Sequence, residues 1–207
     1  MKILRISCML VGFLFLVLSL SAQTFTTLHS FDGTDGANPN AALIQATNGY
    51  LYGTTTECGA NGKGGTIFES TPSGALTLVY SFCSQSGCTD GEDPQAALVQ
   101  DTNGTFYGTT WSGGANGDGT VFSLSVGLGP FVETNPKSGK VGAAVKILGT
   151  DLTGATSVTF NGTAAVFKVV SKSLITTTVP TGATTGTVEV TIPKGTLKSN
   201  GVFRVTK

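Results

Sequence analysis

The sequence predicts an all-β protein: two propeller-blade-like antiparallel repeat units followed by a small antiparallel β-sandwich. Three observations carry this reading. First, a long string recurs: Ala41–Thr55 returns as Ala96–Thr110, at an offset of 55 residues. The overlay continues from Gly59-Ala60-Asn61-Gly62 to Gly114-Ala115-Asn116-Gly117, then from Gly65-Thr66-Ile67-Phe68 to Gly119-Thr120-Val121-Phe122. Self-similarity at this period marks a modular array in which each unit buries its apolar face against a neighbour. Second, 29 glycines and a charged fraction of 12% accompany recurrent Thr, Val, Phe and Tyr, a mixture that suits strands and tight turns. Third, the charge is split. Gln23 to Gly129 carries one base against nine acids, whereas Pro130 to Lys207 carries nine bases against three acids. Such asymmetry marks a domain boundary and draws the two parts together electrostatically.

The elements follow in order. Lys2 and Arg5, the apolar run Met9–Leu20 and the small residues of Ser19–Gln23 read as a signal peptide over residues 1–22. The run falls short of the ~20 residues that span a bilayer, so the expectation is no membrane span after cleavage and a secreted or cell-surface location. In the first unit, Ala41–Thr47 leads through Asn48-Gly49 into Tyr50–Thr55, because both residues of an Asn-Gly turn tolerate positive φ. A Gly-rich loop (Cys58–Gly65), Thr66–Ser70, the Pro72-Ser73-Gly74 turn and Leu76–Phe82 complete four strands, as in one propeller blade. The second unit repeats three of them as Ala96–Asp101, Thr105–Thr110 and Thr120–Leu124. Its fourth strand is either Ser125–Gly129 or the N-terminal Phe25–Phe31, whose Leu28-His29-Ser30-Phe31 matches Val79-Tyr80-Ser81-Phe82. Two blades do not close a ring, and an exposed blade edge invites self-association.

After residue 129 the pattern changes to about seven short strands with frequent turns: Ala144–Leu148, a segment within Gly154–Gly162, Val166–Val170, Leu174–Val179, Gly186–Ile192 and Val202–Val205 are the clearest. That is the sign of a small sandwich.

Cysteine usage suits an oxidising compartment. Phe31 to Pro39 spans eight positions and Phe82 to Pro94 spans twelve, so Cys83 and Cys88 arrive with an insertion. A local disulfide between them is expected. The rival, a metal site, has one His in the chain and no CxxC pair to draw on. Cys58 is left unassigned.

Chemistry is sparse. His29 has no nucleophile-elbow GxSxG to serve, and Tyr80 stands at its place in the next copy of that strand, so packing within a strand is the reading. Asp32, Asp35, Asp90 and Asp93 sit in Gly-rich turns and are weak calcium candidates; Asp-Gly is also ordinary turn chemistry. A glycosidase needs two facing carboxylates, yet Asp101, Glu57 and Glu69 align with Ala46, Ser112 and Ser123 and do not recur. No catalytic residue and no cofactor are expected. Scattered lysines without an Arg cluster exclude nucleic acid. The candidate ligand-binding residues are Trp111, Asn116, Asn61 and Tyr107, because aromatic faces beside amides suit sugar or peptide surfaces.

Asn-Gly-x-[Leu/Phe]-Tyr-Gly-Thr-Thr, [Cys/Gly]-Gly-Ala-Asn-Gly, Gly-Thr-[Ile/Val]-Phe and [Leu/Val]-[His/Tyr]-Ser-Phe resemble the bacterial GloVer tandem repeat over roughly Phe25–Leu124. The resemblance implies an exported protein with units at about residues 25–82 and 83–126 of a region spanning 23–129. Residues 130–207 resemble the IPT/TIG family of immunoglobulin-like domains, through Gly149-Thr150-Asp151-Leu152, Val158-Thr159-Phe160-Asn161-Gly162 and Val179-Pro180-Thr181-Gly182. That resemblance implies a spacer or interaction module. The functional expectation is an exported, non-catalytic interaction or structural protein presenting a surface to a glycan or protein partner. The alternative is an accessory fragment of a carbohydrate-active enzyme.

Overall fold

A computed structural model describes residues 23–207; the leader reading of residues 1–22 lies outside the described residues. The first repeat unit is a four-stranded antiparallel sheet ordered β1 (Ile44–Gln45), β2 (Leu51–Thr55), β3 (Thr66–Ser70), β4 (Leu76–Ser81). The β1–β2 turn forms because Gly49 takes φ 82°, its N–H donates to the Ala46 carbonyl, and Asn48 Oδ1 accepts from the Tyr50 N–H. The second unit is a three-stranded antiparallel sheet, β5 (Val99–Gln100), β6 (Phe106–Thr109), β7 (Val121–Leu124).

Register is copied along with sequence. Gly53 pairs with Phe68 in the first unit and Gly108 with Phe122 in the second. Glycine in mid-strand has a steric cause here. A Cβ on Gly53 would lie 2.6 Å from both Leu43 Cδ2 and Phe68 Cζ, and one on Gly108 would strike Phe122 and Leu98. The aromatic ring of the neighbouring strand lies over the bare backbone.

The two sheets pack face to face. Tyr52, Ile67 and Phe82 of the first unit share a buried core with Leu98 and Phe106 of the second. The rings of Tyr52 and Phe106 are 4.5 Å apart, and those of Phe82 and Phe122 are 5.2 Å apart. Aromatic pairs at these separations add to the area they bury.

Two expectations for the missing fourth strand are corrected. Ser125–Gly129 forms no strand. Val126 and Leu128 instead pack against the repeat core, and the Leu128 carbonyl lies against the Gly104 Cα. Phe25–Phe31 forms no strand either, and it lies on the first unit rather than the second. Phe31 meets Phe68 at 5.1 Å, and Leu28 backbone approaches Gly74. The cause is the short connection that follows, which is tied to the end of β2 by the Ala37–Glu57 bridge. His29 therefore packs outside any strand, edge-on to Phe31 at 5.0 Å.

The remaining strands are β8 (Val132–Asn135), β9 (Ser138–Lys140), β10 (Ala144–Gly149), β11 (Ser157–Phe160) and β12 (Thr163–Ala164), then β13 (Phe167–Ser171), β14 (Leu174–Thr178), β15 (Val188–Ile192), β16 (Gly195–Lys198) and β17 (Arg204–Thr206). They build two four-stranded antiparallel sheets, ordered β13-β14-β10-β8 and β12-β11-β15-β16, with β9 and β17 as a parallel pair. Alternation sends Val145 and Ile147 from β10, and Val188, Val190 and Ile192 from β15, into one core with Phe160 and Phe203. Strands β8, β9, β12 and β16 were not legible as strands. Ser138–Lys140 gains its order from β17, a partner far along the chain.

The sandwich meets the repeat units at their Asn-Gly end. Phe131 N–H donates to the Thr102 carbonyl (2.9 Å), and the Thr102 and Thr150 hydroxyls share a hydrogen bond (2.9 Å). Ion pairs among the described residues are His29–Asp35, Lys194–Asp151 and Lys198–Glu189. None joins the acidic half to the basic half, so short-range hydroxyl and backbone contacts hold this junction.

Candidate interaction face

Strands β2 and β6 run from the Asn-Gly end, where the sandwich docks, to a free end formed by the two Gly-rich loops. In the first loop the Asn61 side chain donates to the carbonyls of Ser81 (3.1 Å) and Phe82 (3.0 Å). It is exposed but occupied, clamping the loop onto β4. Asn116 takes the same place in the second unit, where no fourth strand offers those carbonyls, and its side chain has no hydrogen-bond partner among the described residues.

Tyr107, Thr109 and Trp111 alternate with buried or half-buried neighbours, so they project from one side of β6 and its continuation. Val121 and Ser123 are exposed across the ladder on β7. Trp111, Tyr107 and Val121 thus form an apolar strip on the side of the second unit that faces away from the first. Of the sequence-selected residues, Tyr107 and Trp111 share this face, Asn116 lies in the loop at its end, and Asn61 stands apart on the first unit. Val121 and Leu43 escaped notice because matched positions say nothing about which copy is covered.

The same tyrosine is used differently in the two units. Tyr52, fully buried, donates its hydroxyl to Glu69 Oε2 (2.6 Å) and accepts from Asn48 Nδ2 (3.1 Å). Burial and the neighbouring carboxylate push its phenol up to about 12. Tyr107 pairs with Ser123 instead of a glutamate and lies open. Glu69 is thereby committed to structure, and Glu57 is held by its backbone bridge to Ala37.

The acidic turns are built by backbone and hydroxyl donors. Asp32 Oδ1 accepts from Thr34 N–H (2.8 Å) and Thr34 Oγ1 (2.6 Å), which hold its carboxyl below the usual range. Asp35 Oδ1 accepts from Asp32 N–H (3.1 Å), and its Oδ2 meets His29 Nε2 at 2.6 Å. Asp90 Oδ2 accepts from the Tyr80 hydroxyl (2.8 Å), Ser84 N–H (3.0 Å) and Ser84 Oγ (2.8 Å). Asp93 sits at φ 57°, with its backbone N–H donated to Gly64. Among the described residues, the one grouping of three metal-ligand types is Cys83, Cys88 and Glu92. Its two sulfurs are joined to each other in a disulfide; Cys58 is free and half-buried.

The disulfide closes the inserted loop that delivers Asp90 to Tyr80. Replacing both cysteines with serine is expected to lower stability by about 2 kcal/mol, by loop-closure arithmetic, seen as a reduced denaturant midpoint. Asp90 has a pH signature of its own. Burial raises its pKa, and the Tyr80 and Ser84 donors outweigh that and hold it below the usual carboxylate range. Its contribution is complete above the unfolded carboxyl value, about 3.9, and fades as pH falls through the lower folded value. Asp90→Asn should lose about 1–2 kcal/mol at neutral pH and show a shallower stability loss on acidification than the parent. Equal acid slopes would refute the assignment.

Fold and face together define the class: an all-β protein of interaction modules, two packed repeat sheets joined to an immunoglobulin-like sandwich. The chain belongs to the Gloeobacter/Verrucomicrobia repeat family, whose profile matches residues 11–164. An IPT/TIG domain is matched over residues 131–205. Where the two matches overlap, at 131–164, the strands contribute to the sandwich core. Domains of both kinds are typically non-catalytic. No curated protein matches the chain. Among the described residues, no helix is long and apolar enough to cross a membrane.

Proposed function

We propose that this is an exported, non-catalytic interaction protein in which the sandwich (residues 130–207) carries the repeat region (23–129) and leaves its open face free for a glycan or protein partner outside the cytoplasm. The observation that carries this reading is the strip of Tyr107, Trp111 and Val121, three large apolar side chains left exposed on one sheet face beside the unpartnered amide of Asn116. Monomeric proteins rarely leave such a strip without a binding role. The committed acids support the absence of hydrolysis: Glu69 serves Tyr52 and Asp90 serves Tyr80. Self-association through the incomplete second unit belongs to the same reading.

The test is glycan-array and surface-protein binding by the purified protein, alongside Trp111→Ala. Binding that drops at least about tenfold in the variant, equivalent to about 1.4 kcal/mol, with no turnover, is the expected result. Hydrolysis abolished by changing one Asp or Glu would overturn it.

A further inference from the structure

We propose that the partner of this open face is a second copy of the same chain, joined head to tail so that the second unit of one copy packs on the first unit of the next. The proposal deepens the interaction reading above and rests on it. It starts from paired positions in the repeat. In the first unit Tyr52 and Ile67 are each 1% exposed, because the second unit covers them; their counterparts Tyr107 and Val121 are 40% and 82% exposed. On the opposite side the relation reverses. Leu98 of the second unit is 3% exposed under the first, whereas its counterpart Leu43 is 53% exposed. The open faces at the two ends are therefore the two unmatched halves of the interface that already joins the units. Bringing them together continues that established interface with apolar residues at the matching positions, Leu51 standing where Phe106 does and Val121 where Ile67 does.

The N-terminal segment supports the same geometry. Its contacts reproduce, on the first unit, those that β4 makes on the second. His29 meets Asp35 as Tyr80 meets Asp90, positions that are again 55 apart between Asp35 and Asp90. Phe31 lies 5.1 Å from Phe68 as Phe82 lies 5.2 Å from Phe122. The segment thus stands where the outer strand of a preceding unit belongs, and Gln23–Phe31 makes no backbone hydrogen bond to another described residue. Meanwhile β7 is a sheet edge, flanked by a cleft of about 320 Å³ lined by Ile67, Tyr80, Phe82 and Phe122. When the second unit of one copy docks on the first unit of the next, that copy's Phe25–Phe31 pairs with β7 as a fourth strand. Asn116 then finds the carbonyls of Ser30 and Phe31, as Asn61 finds those of Ser81 and Phe82. Each copy supplies two units, so roughly two to four copies furnish the roughly four to eight blades that close a propeller.

Light scattering on the purified protein, with Val121→Glu and Leu43→Glu, tests this. Both side chains are exposed in the isolated chain, so each variant keeps its fold, as far-ultraviolet dichroism checks. The parent is expected to run as a multiple of the chain mass, and each variant as a monomer. Mixed one to one, the variants should form a two-chain complex and no larger species, because each retains one intact face of a heterologous pair. A monomeric parent at its highest soluble concentration, or a Val121→Glu protein of unchanged mass, overturns the proposal. Glycan binding by a monomeric parent would overturn it while leaving the interaction reading standing.

Discussion

Phe106→Ala should lower the stability of the repeat region by about 3–5 kcal/mol, the range for truncating a fully buried aromatic side chain. Phe106 has no exposed surface and faces Tyr52 at 4.5 Å across the junction of the two units. Removing the ring opens a cavity between the two sheets, beside a Tyr52 ring that its hydrogen bond to Glu69 holds in place. The sandwich has a separate core built from residues 132–203. Calorimetry should therefore show the repeat transition displaced and the sandwich transition little changed. A displacement below about 1 kcal/mol would mean that the units do not depend on each other for their core.

Gly65→Ala should be nearly as damaging, by about 3 kcal/mol or more, because backbone strain and a clash act together. Gly65 holds φ at 80°, and a Cβ there would strike the Thr55 carbonyl oxygen and lie 2.8 Å from Thr56 C. Both contacts are backbone and cannot swing aside. Gly119, at φ 90° against the Thr110 carbonyl, should behave alike. Gly49→Ala is the control. It shares a positive φ of 82° but has open space around the new Cβ, so it should cost only about 1–2 kcal/mol, the left-handed penalty alone. Equal denaturant midpoints for the two variants would show that the crowding at Gly65 has no energetic weight.

How much was legible depended on whether the signal was local. The Asn-Gly turns and strands β2, β3, β6 and β7 could be read directly because turn chemistry and alternation act within a few residues. Strand β9 could not, since Ser138–Lys140 owes its order to β17, far along the chain; β16 returns from β15 across Pro193-Lys194, a turn without the Asn-Gly signal of the repeat units. The same limit governs the candidate face. Trp111 stood out because it breaks the repeat, and Tyr107 because it belongs to it. Val121 aligns with Ile67, and the alignment gives no sign that one is buried and the other exposed. Asn61 and Asn116 looked equivalent, and the fourth strand under one of them makes the difference.

The amino-acid sequence by itself determined the class of this molecule: its strands, its duplicated unit and the change of pattern after residue 129, because periodicity, glycine turns and composition are written locally. Only the tertiary structure decided which copy of each repeated residue is buried. Burial depends on the neighbour that a unit has, and the first and last units of an array lack one on opposite sides.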